Sequence, residues 1–182
     1  MQFKILTSKD KEVLENDIIE LLIESDNDFV PPLSNRSSTL DKSFSSVSNS
    51  KSGVISYYLK MKEQKILAAF DEEALIGFVS FIENFISDEI DESELPNIYV
   101  STLVLSRKVR GKGVTKKMYA YLFSEIYSER SIFTRTWSTN AAHTKILKNF
   151  GFSEFLRKKN DRGLGIDTVY LKKEKSKELI GV

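Results

Sequence analysis

The chain has 182 residues, of which 41% are hydrophobic and 29% charged, and a formal net charge of +1. That length and composition suit a single globular domain, 1–182, with a core of its own and a polar C-terminal tail from 172 to 182; the near-neutral balance argues against bulk nucleic-acid or membrane binding. Cysteine is absent and histidine occurs once, which excludes disulfides, thiolate metal sites, a cysteine nucleophile and a His-rich metal cluster.

The N-terminus, Met1 to Leu6, turns polar too soon for a signal peptide, and no apolar run approaches the ~20 residues that span a bilayer. A cytoplasmic protein is expected. Phe3 to Leu6 reads as a strand. Ser8 then reads as the cap of a helix whose apolar face is Val13, Leu14, Ile18, Leu21 and Leu22, and Pro31-Pro32 cannot continue that helix. The serine-rich span from Ser34 to Gly53 carries Leu40, Phe44 and Val47 and reads as short helices and mobile loop over a binding site. A helix from Val54 to Lys62 packs Ile55, Tyr58, Leu59 and Met61 inward. Lys65 to Phe70 and Leu75 to Ile82 form an antiparallel hairpin around Asp71-Glu72-Glu73-Ala74.

An acidic loop follows, with Glu83, Asp88, Glu89, Asp91, Glu92 and Glu94 and no basic residue among them. It either attracts a cationic amine or is a solvated connection that offsets the basic segment beyond it. The strand Asn97 to Leu105 leads into Arg107, Lys108, Arg110, Lys112, Lys116 and Lys117. A helix from Val114 to Ser128 presents Val114, Met118, Tyr121, Leu122 and Ile126 on one face. Ser131 to Trp137 alternates as a strand. Asn140 caps a helix that ends at Gly151. Phe152 to Lys158 and Ile166 to Lys172 make the last strand pair, around the turn Asn160 to Gly163. The order is that of an α/β protein with a mixed, mostly antiparallel sheet.

Between the strand 97–105 and the following helix stands Val109-Arg110-Gly111-Lys112-Gly113-Val114-Thr115. A glycine loop at a helix start points unpaired N–H groups at one spot, and the helix dipole and nearby lysines favour phosphate there. By itself the loop is equally a helix cap with solvated charges. It is neither a P-loop, lacking the glycine–lysine–serine/threonine ending, nor a dinucleotide fingerprint, lacking the third glycine. A second constellation follows, Thr139-Asn140-Ala141-Ala142-His143 through Leu147 to Phe150-Gly151-Phe152.

Together these segments resemble the GCN5-related N-acetyltransferase (GNAT) superfamily, which pairs a strand and Arg/Gln-x-x-Gly-x-Gly/Ala with a later strand, Asn, a short helix and Gly-Phe. Arg110, Gly113 and Thr115 fill the first motif, and Asn140 with Gly151-Phe152 the second. The resemblance covers about residues 2 to 172 and implies the acyl-CoA N-acyltransferase fold, a central mixed sheet of about seven strands flanked by helices. It implies direct transfer of an acetyl group from acetyl-CoA, without a metal, to a primary amine of a small molecule or peptide. The pyrophosphate rests on the amides of Arg110, Gly111, Lys112, Gly113, Val114, Thr115 and Lys116. The backbone of Leu103, Val104 and Leu105 pairs with the pantetheine arm, and Asn140 contacts that arm, caps its helix, or does both. Arg107, Lys108 and Lys112 add attraction for phosphate or are solvated charges. The fold often forms homodimers, and the sequence marks no apolar surface for one.

Three departures stand out: Thr115 replaces a small residue, Arg107 stands where proline is frequent, and Leu147 occupies the position of the tyrosine often assigned as general acid. His143, in the first turn of its helix, is a base, acid or substrate contact by virtue of a near-neutral pKa, or a histidine without chemistry. Glu83 ends its strand where a carboxylate takes a proton through water, or faces solvent. Ser138 and Thr139 orient the substrate or precede the cap, and Trp137 and Tyr170 read as packing. A non-catalytic coenzyme A-binding module and an O-acyltransferase are the alternatives.

Overall fold

A computed structural model describes residues 1–36 and 50–175. Seven strands form one sheet in the order β1-β2-β3-β4-β5-β7-β6. They are β1 (Gln2–Ile5), β2 (Lys65–Asp71), β3 (Ala74–Glu83), β4 (Asn97–Leu105), β5 (Ser131–Trp137), β6 (Ser153–Lys158) and β7 (Thr168–Lys173). β1–β2, β2–β3, β5–β7 and β6–β7 pair antiparallel, whereas β4 and β5 run parallel. A parallel pair needs a long crossover rather than a tight turn, and here the crossover carries the glycine loop.

The chain divides into two compact units, Met1–Phe81 with Ser101–Met118, and Ile82–Val100 with Tyr119–Val182. In the first, α1 (Ser8–Val13) and α2 (Glu15–Ser25) are separated at Leu14, and α3 is Ser50–Met61. The cap of α1 is Thr7, not Ser8. The Thr7 side chain accepts from the Asp10 N–H, while the Asp10 carboxylate accepts from the Thr7 N–H at 2.9 Å, a reciprocal capping box. Ile18, Leu21 and Leu22 of α2 and Val54, Tyr57, Tyr58 and Met61 of α3 pack against Ile66, Ala68, Phe78 and Val104 of the sheet. Each large side chain so removed from water contributes roughly 1.5–3 kcal/mol. Val13 is instead 74% and Leu59 48% exposed, opposite to expectation. Val13 is the last residue of the short α1, none of whose residues is buried, and on α3 the buried face runs through Tyr57, whose hydroxyl meets Thr102 Oγ1 at 2.5 Å. The reading of 34–53 as loop and short helices falls largely on 37–49, outside the described residues, as does the end of the expected tail, 176–182.

In the second unit, α4 (Val114–Ala120), whose first residues belong to the other unit, passes into a π-helical stretch, Tyr121–Ile126. The Tyr127 N–H bonds to the Leu122 carbonyl at 3.1 Å. The single regular helix expected to Ser128 therefore does not form, and Leu122 and Phe123 are buried while Tyr121 and Ile126 are only partly so. Phe123 stacks on Tyr119 at 4.7 Å and meets Phe150 and Phe152 at 5.8 and 5.4 Å, joining this stretch to the end of α5 (Ala141–Asn149). The acidic loop is clamped down: the Asn97 side chain exchanges two hydrogen bonds with the Phe85 backbone, and Phe85 stacks on Tyr99 at 4.4 Å. Glu89 pairs with Lys158, and Glu94 with Lys172 at 2.8 Å. Two of its carboxylates are thus neutralised by lysines of β6 and β7, rather than left free for a cation.

Candidate active site

The glycine loop begins where β4 ends. A 3-10 turn, Arg107–Val109, follows Ser106, and Gly111 and Gly113 then take φ of +74° and +78°. An added Cβ at either would meet nothing within 4 Å, so glycine is required by the left-handed backbone rather than by space. Val114 and Met118 are buried and anchor the start of α4. The first N–H to close a helical bond is that of Lys117, to Gly113 O at 3.2 Å. The amides of Val114, Thr115 and Lys116 precede it and have no intrahelical partner. With those of Gly111 and Gly113 they supply backbone donors at one helix start, flanked by Lys112 and Lys116, an arrangement suited to an anion.

Arg110 does not turn its side chain toward that cluster. Its Nε donates to Leu105 O at 3.0 Å, Nη1 to Asp28 at 2.7 Å and Nη2 to Ser25 Oγ at 3.0 Å. Its own N–H bonds to Arg107 O and that of Lys112 to Val109 O, both at 3.4 Å, so these two amides, expected to receive the pyrophosphate, are engaged within the turn. Leu103 and Leu105 lie on one face of β4 and Val104 on the other, buried in the core. Gly77 of β3 allows the close approach of this strand end, because an added Cβ would sit 2.6 Å from Val104 O and 2.3 Å from Leu105 Cδ2.

In the second unit Asn140 is the N-cap of α5. Its Oδ1 accepts from the His143 N–H at 3.3 Å and its Nδ2 donates to Thr136 Oγ1 at 3.2 Å. Gly151, at φ +84°, ends the helix, with its N–H on Lys148 O and that of Phe152 on Leu147 O. His143 Nε2 lies 2.7 Å from the Tyr119 hydroxyl. Burial pushes the histidine down to about 4 and the tyrosine well above its ordinary value. Desolvation against Tyr119 thus moves the ring away from the near-neutral value on which the proton-transfer reading rests, although the residue keeps partial exposure. Leu147 is wholly buried. Glu83 accepts from the Tyr127 hydroxyl at 2.8 Å, with Arg130 Nη1 3.9 Å away, and burial together with this carboxylate raises the Tyr127 pKa. Ser138 Oγ accepts from the Asp167 N–H at 3.0 Å. Tyr170 is buried with its hydroxyl on Glu89 at 3.3 Å, and the Arg162 guanidinium lies over Trp137 at 5.8 Å.

Sequence reasoning missed three members of these arrangements: Asp28, Tyr119 and Arg135. Arg135 lies opposite Tyr170 in the β5–β7 register, and Tyr99, Tyr170 and Glu89 hold its charged form against desolvation. The only local signal was an Arg in a strand that otherwise alternates; Asp28 and Tyr119 carried none.

A strand, a glycine loop with orphaned amides, and a capped helix ending in Gly-Phe on this sheet order define an acyl-CoA transferase fold. The chain belongs to the Acetyltransferase (GNAT) family, whose profile matches residues 35–152. Solved structures agree on the fold. A ribosomal-protein-alanine N-acetyltransferase from Brucella melitensis superposes with a TM-score of 0.63 at 13% identity, covering 96% of this chain and 99% of that one. The yncA protein of Salmonella typhimurium, solved with its cofactor acetyl-CoA, gives 0.61 at 13% identity over 100% and 98%. An aminoglycoside 6'-acetyltransferase type Ii gives 0.66 at 16% identity over 98% and 99%. A search of curated protein sequences finds no significant match. Acetyl-CoA-dependent acetyl transfer is thus the chemistry of the family to which this chain belongs. Among the described residues no helix is long and apolar enough to cross a membrane.

Proposed function

We propose that this protein transfers the acetyl group of acetyl-CoA directly to a primary amine. The observation that carries the reading is the donor cluster of Gly111 and Gly113 to Lys116, built by two left-handed glycines at the start of α4. The pyrophosphate rests on these amides, and the backbone of Leu103 to Leu105, past the last β4 residue in register with β5, receives the amides of the pantetheine arm. The amine attacks the thioester carbonyl, the C–S bond breaks, the nitrogen loses one proton and the departing sulfur gains one. No covalent enzyme intermediate through cysteine exists, since the chain has none.

His143, with a pKa of about 4, is neutral at physiological pH and therefore does not donate a proton as an imidazolium. Glu83 is engaged by Tyr127 and Arg130. Neither side chain is committed to proton transfer by its surroundings, and Leu147 supplies no phenol. This favours one second reading, a coenzyme A-binding module without turnover.

The test is calorimetry of acetyl-CoA with wild type and Gly113→Asp, followed by thiol release on a panel of amines, amino acids, aminoglycosides, peptides and alcohols. The relatives named for a ribosomal-protein alanine and for aminoglycosides put both peptides and small molecules on that panel. Loss of binding in Gly113→Asp with amine-dependent thiol release supports the proposal. Equal binding in the variant removes the loop from the site. Binding without turnover leaves the module, and turnover on alcohols alone makes it an O-acyltransferase.

A further inference from the structure

The connection that leaves α2 is built on two carboxylates two residues apart. Asp26 is buried and accepts from Ser34 N–H at 2.7 Å, Ser34 Oγ at 2.9 Å and Ser50 Oγ at 3.0 Å. Asp28 instead reaches the glycine loop. Its Oδ2 takes Arg110 Nη1 at 2.7 Å, and its Oδ1 lies 3.7 Å from Arg107 Nη2. Glu24 adds a hydrogen bond from the Arg107 backbone N–H at 2.9 Å. The last turn of α2 and the turn after it thus hold the loop at its entry, Arg107, and again one residue before its first glycine.

Both partners of the Asp28–Arg110 pair are more than a third exposed, so the pair contributes little to global stability. Its geometry is nevertheless specific. Each nitrogen of the Arg110 guanidinium makes a hydrogen bond, Nη1 to Asp28, Nη2 to Ser25 and Nε to Leu105 O, and a planar fork held at three points restrains the backbone from which it springs.

We propose that Asp28 is a positioning residue for acetyl-CoA: by clamping Arg110 against the end of β4 it sets the backbone entering Gly111, so that the loop amides converge on the pyrophosphate. The inference rests on the cofactor reading above. It assigns the Arg110 side chain to the protein and leaves the phosphate to the loop amides and the neighbouring lysines. Asp28 itself lies on a different segment from the motif it serves, and acts through Arg110.

The test is calorimetry on the full chain with acetyl-CoA and with S-acetylpantetheine, which lacks the pyrophosphate. Wild type, Asp28→Asn, Arg110→Ala, the Asp28→Asn/Arg110→Ala double variant and a control, Lys4→Ala, are compared. Lys4→Ala breaks another exposed ion pair of the same unit, at 2.8 Å to Asp10. Expected is a roughly five- to tenfold weaker affinity of Asp28→Asn for acetyl-CoA, unchanged affinity for S-acetylpantetheine, and a double variant no weaker than Arg110→Ala. A merely structural role weakens both ligands alike and overturns the proposal, as does an Asp28→Asn affinity equal to or tighter than wild type. If wild type itself does not bind acetyl-CoA, the cofactor reading falls and takes this inference with it. If Gly113→Asp abolishes binding while Asp28→Asn retains it fully, only this inference falls.

Discussion

The Tyr119 hydroxyl and His143 Nε2 meet at 2.7 Å, joining the helix that follows the glycine loop to the helix that Asn140 caps. Both groups are held in their neutral forms by burial, the histidine at about 4 and the tyrosine far above its ordinary value. Because a neutral ring is favoured in the folded protein, the unfolded chain binds more protons between about pH 4 and the ordinary value of 6.5. Stability from this group is complete above pH 6.5 and declines as the pH falls toward 4, by on the order of 2–3 kcal/mol. Urea unfolding of wild type and His143→Gln at pH 7.0, 5.5 and 4.5 checks this. The variant is expected to lose part of the wild-type slope; parallel slopes contradict it. Turnover of wild type is expected to show no ascending limb near 6.5 that His143→Gln removes.

Gly77 and Gly113 separate steric from conformational need. In Gly77→Ala the new Cβ collides with the backbone of Val104 as well as the end of Leu105, and overpacking of this kind costs about 1–3 kcal/mol. Gly113→Ala meets no neighbour but must hold φ near +78°, costing about 1–2 kcal/mol. Melting temperatures are expected to fall for both. Acetyl-CoA affinity is expected to fall as well in Gly113→Ala, since the strain is relieved by moving the donor amides. A Gly113→Ala that binds as wild type contradicts this.

Asn140→Ala removes the N-cap of α5 and is expected to cost about 0.5–2 kcal/mol, whereas Asn140→Ser or Asn140→Asp retains most of the stability. Thermal unfolding of the three variants reads this directly. Acetyl-CoA affinity measured on Asn140→Ser then reports on an added contact to the cofactor: a loss of binding with the cap intact assigns one.

Leu147→Tyr places a phenol at the position where the family resemblance leads one to expect a general acid. The site is wholly buried, so the variant is expected to lose about 1–3 kcal/mol from overpacking and to gain no turnover. An increase in the rate of thiol release, with stability unchanged, overturns the assignment of Leu147 to the core.

Much of the fold was legible because its signals are local. The alternation in β5, the hairpin of β2 and β3, and the Pro31-Pro32 stop depend on side chains and backbone limits close in sequence. The same holds for the glycine loop, whose φ values only glycine adopts readily, and for the Asn140 cap. The less legible places lie where a partner far along the chain decides. One exception is local: Thr7 takes the cap from Ser8 because Asp10, at the N3 position, completes a reciprocal box. Leu59 looks outward because the buried face of α3 runs through Tyr57, which finds Thr102. The helix after the loop widens where aromatic side chains from α5 and its end meet it.

The sequence by itself determined the family, the order of elements and the place of the donor loop, since these follow from residue types at fixed short spacings. Only the tertiary structure decided the charge states and side-chain commitments around them. Burial lowers the His143 pKa, lysines of β6 and β7 pair with Glu89 and Glu94 of the acidic loop, and Asp28 engages the Arg110 guanidinium. Desolvation and pairing depend on which distant groups the fold brings within a few ångströms, and no spacing along the chain records that.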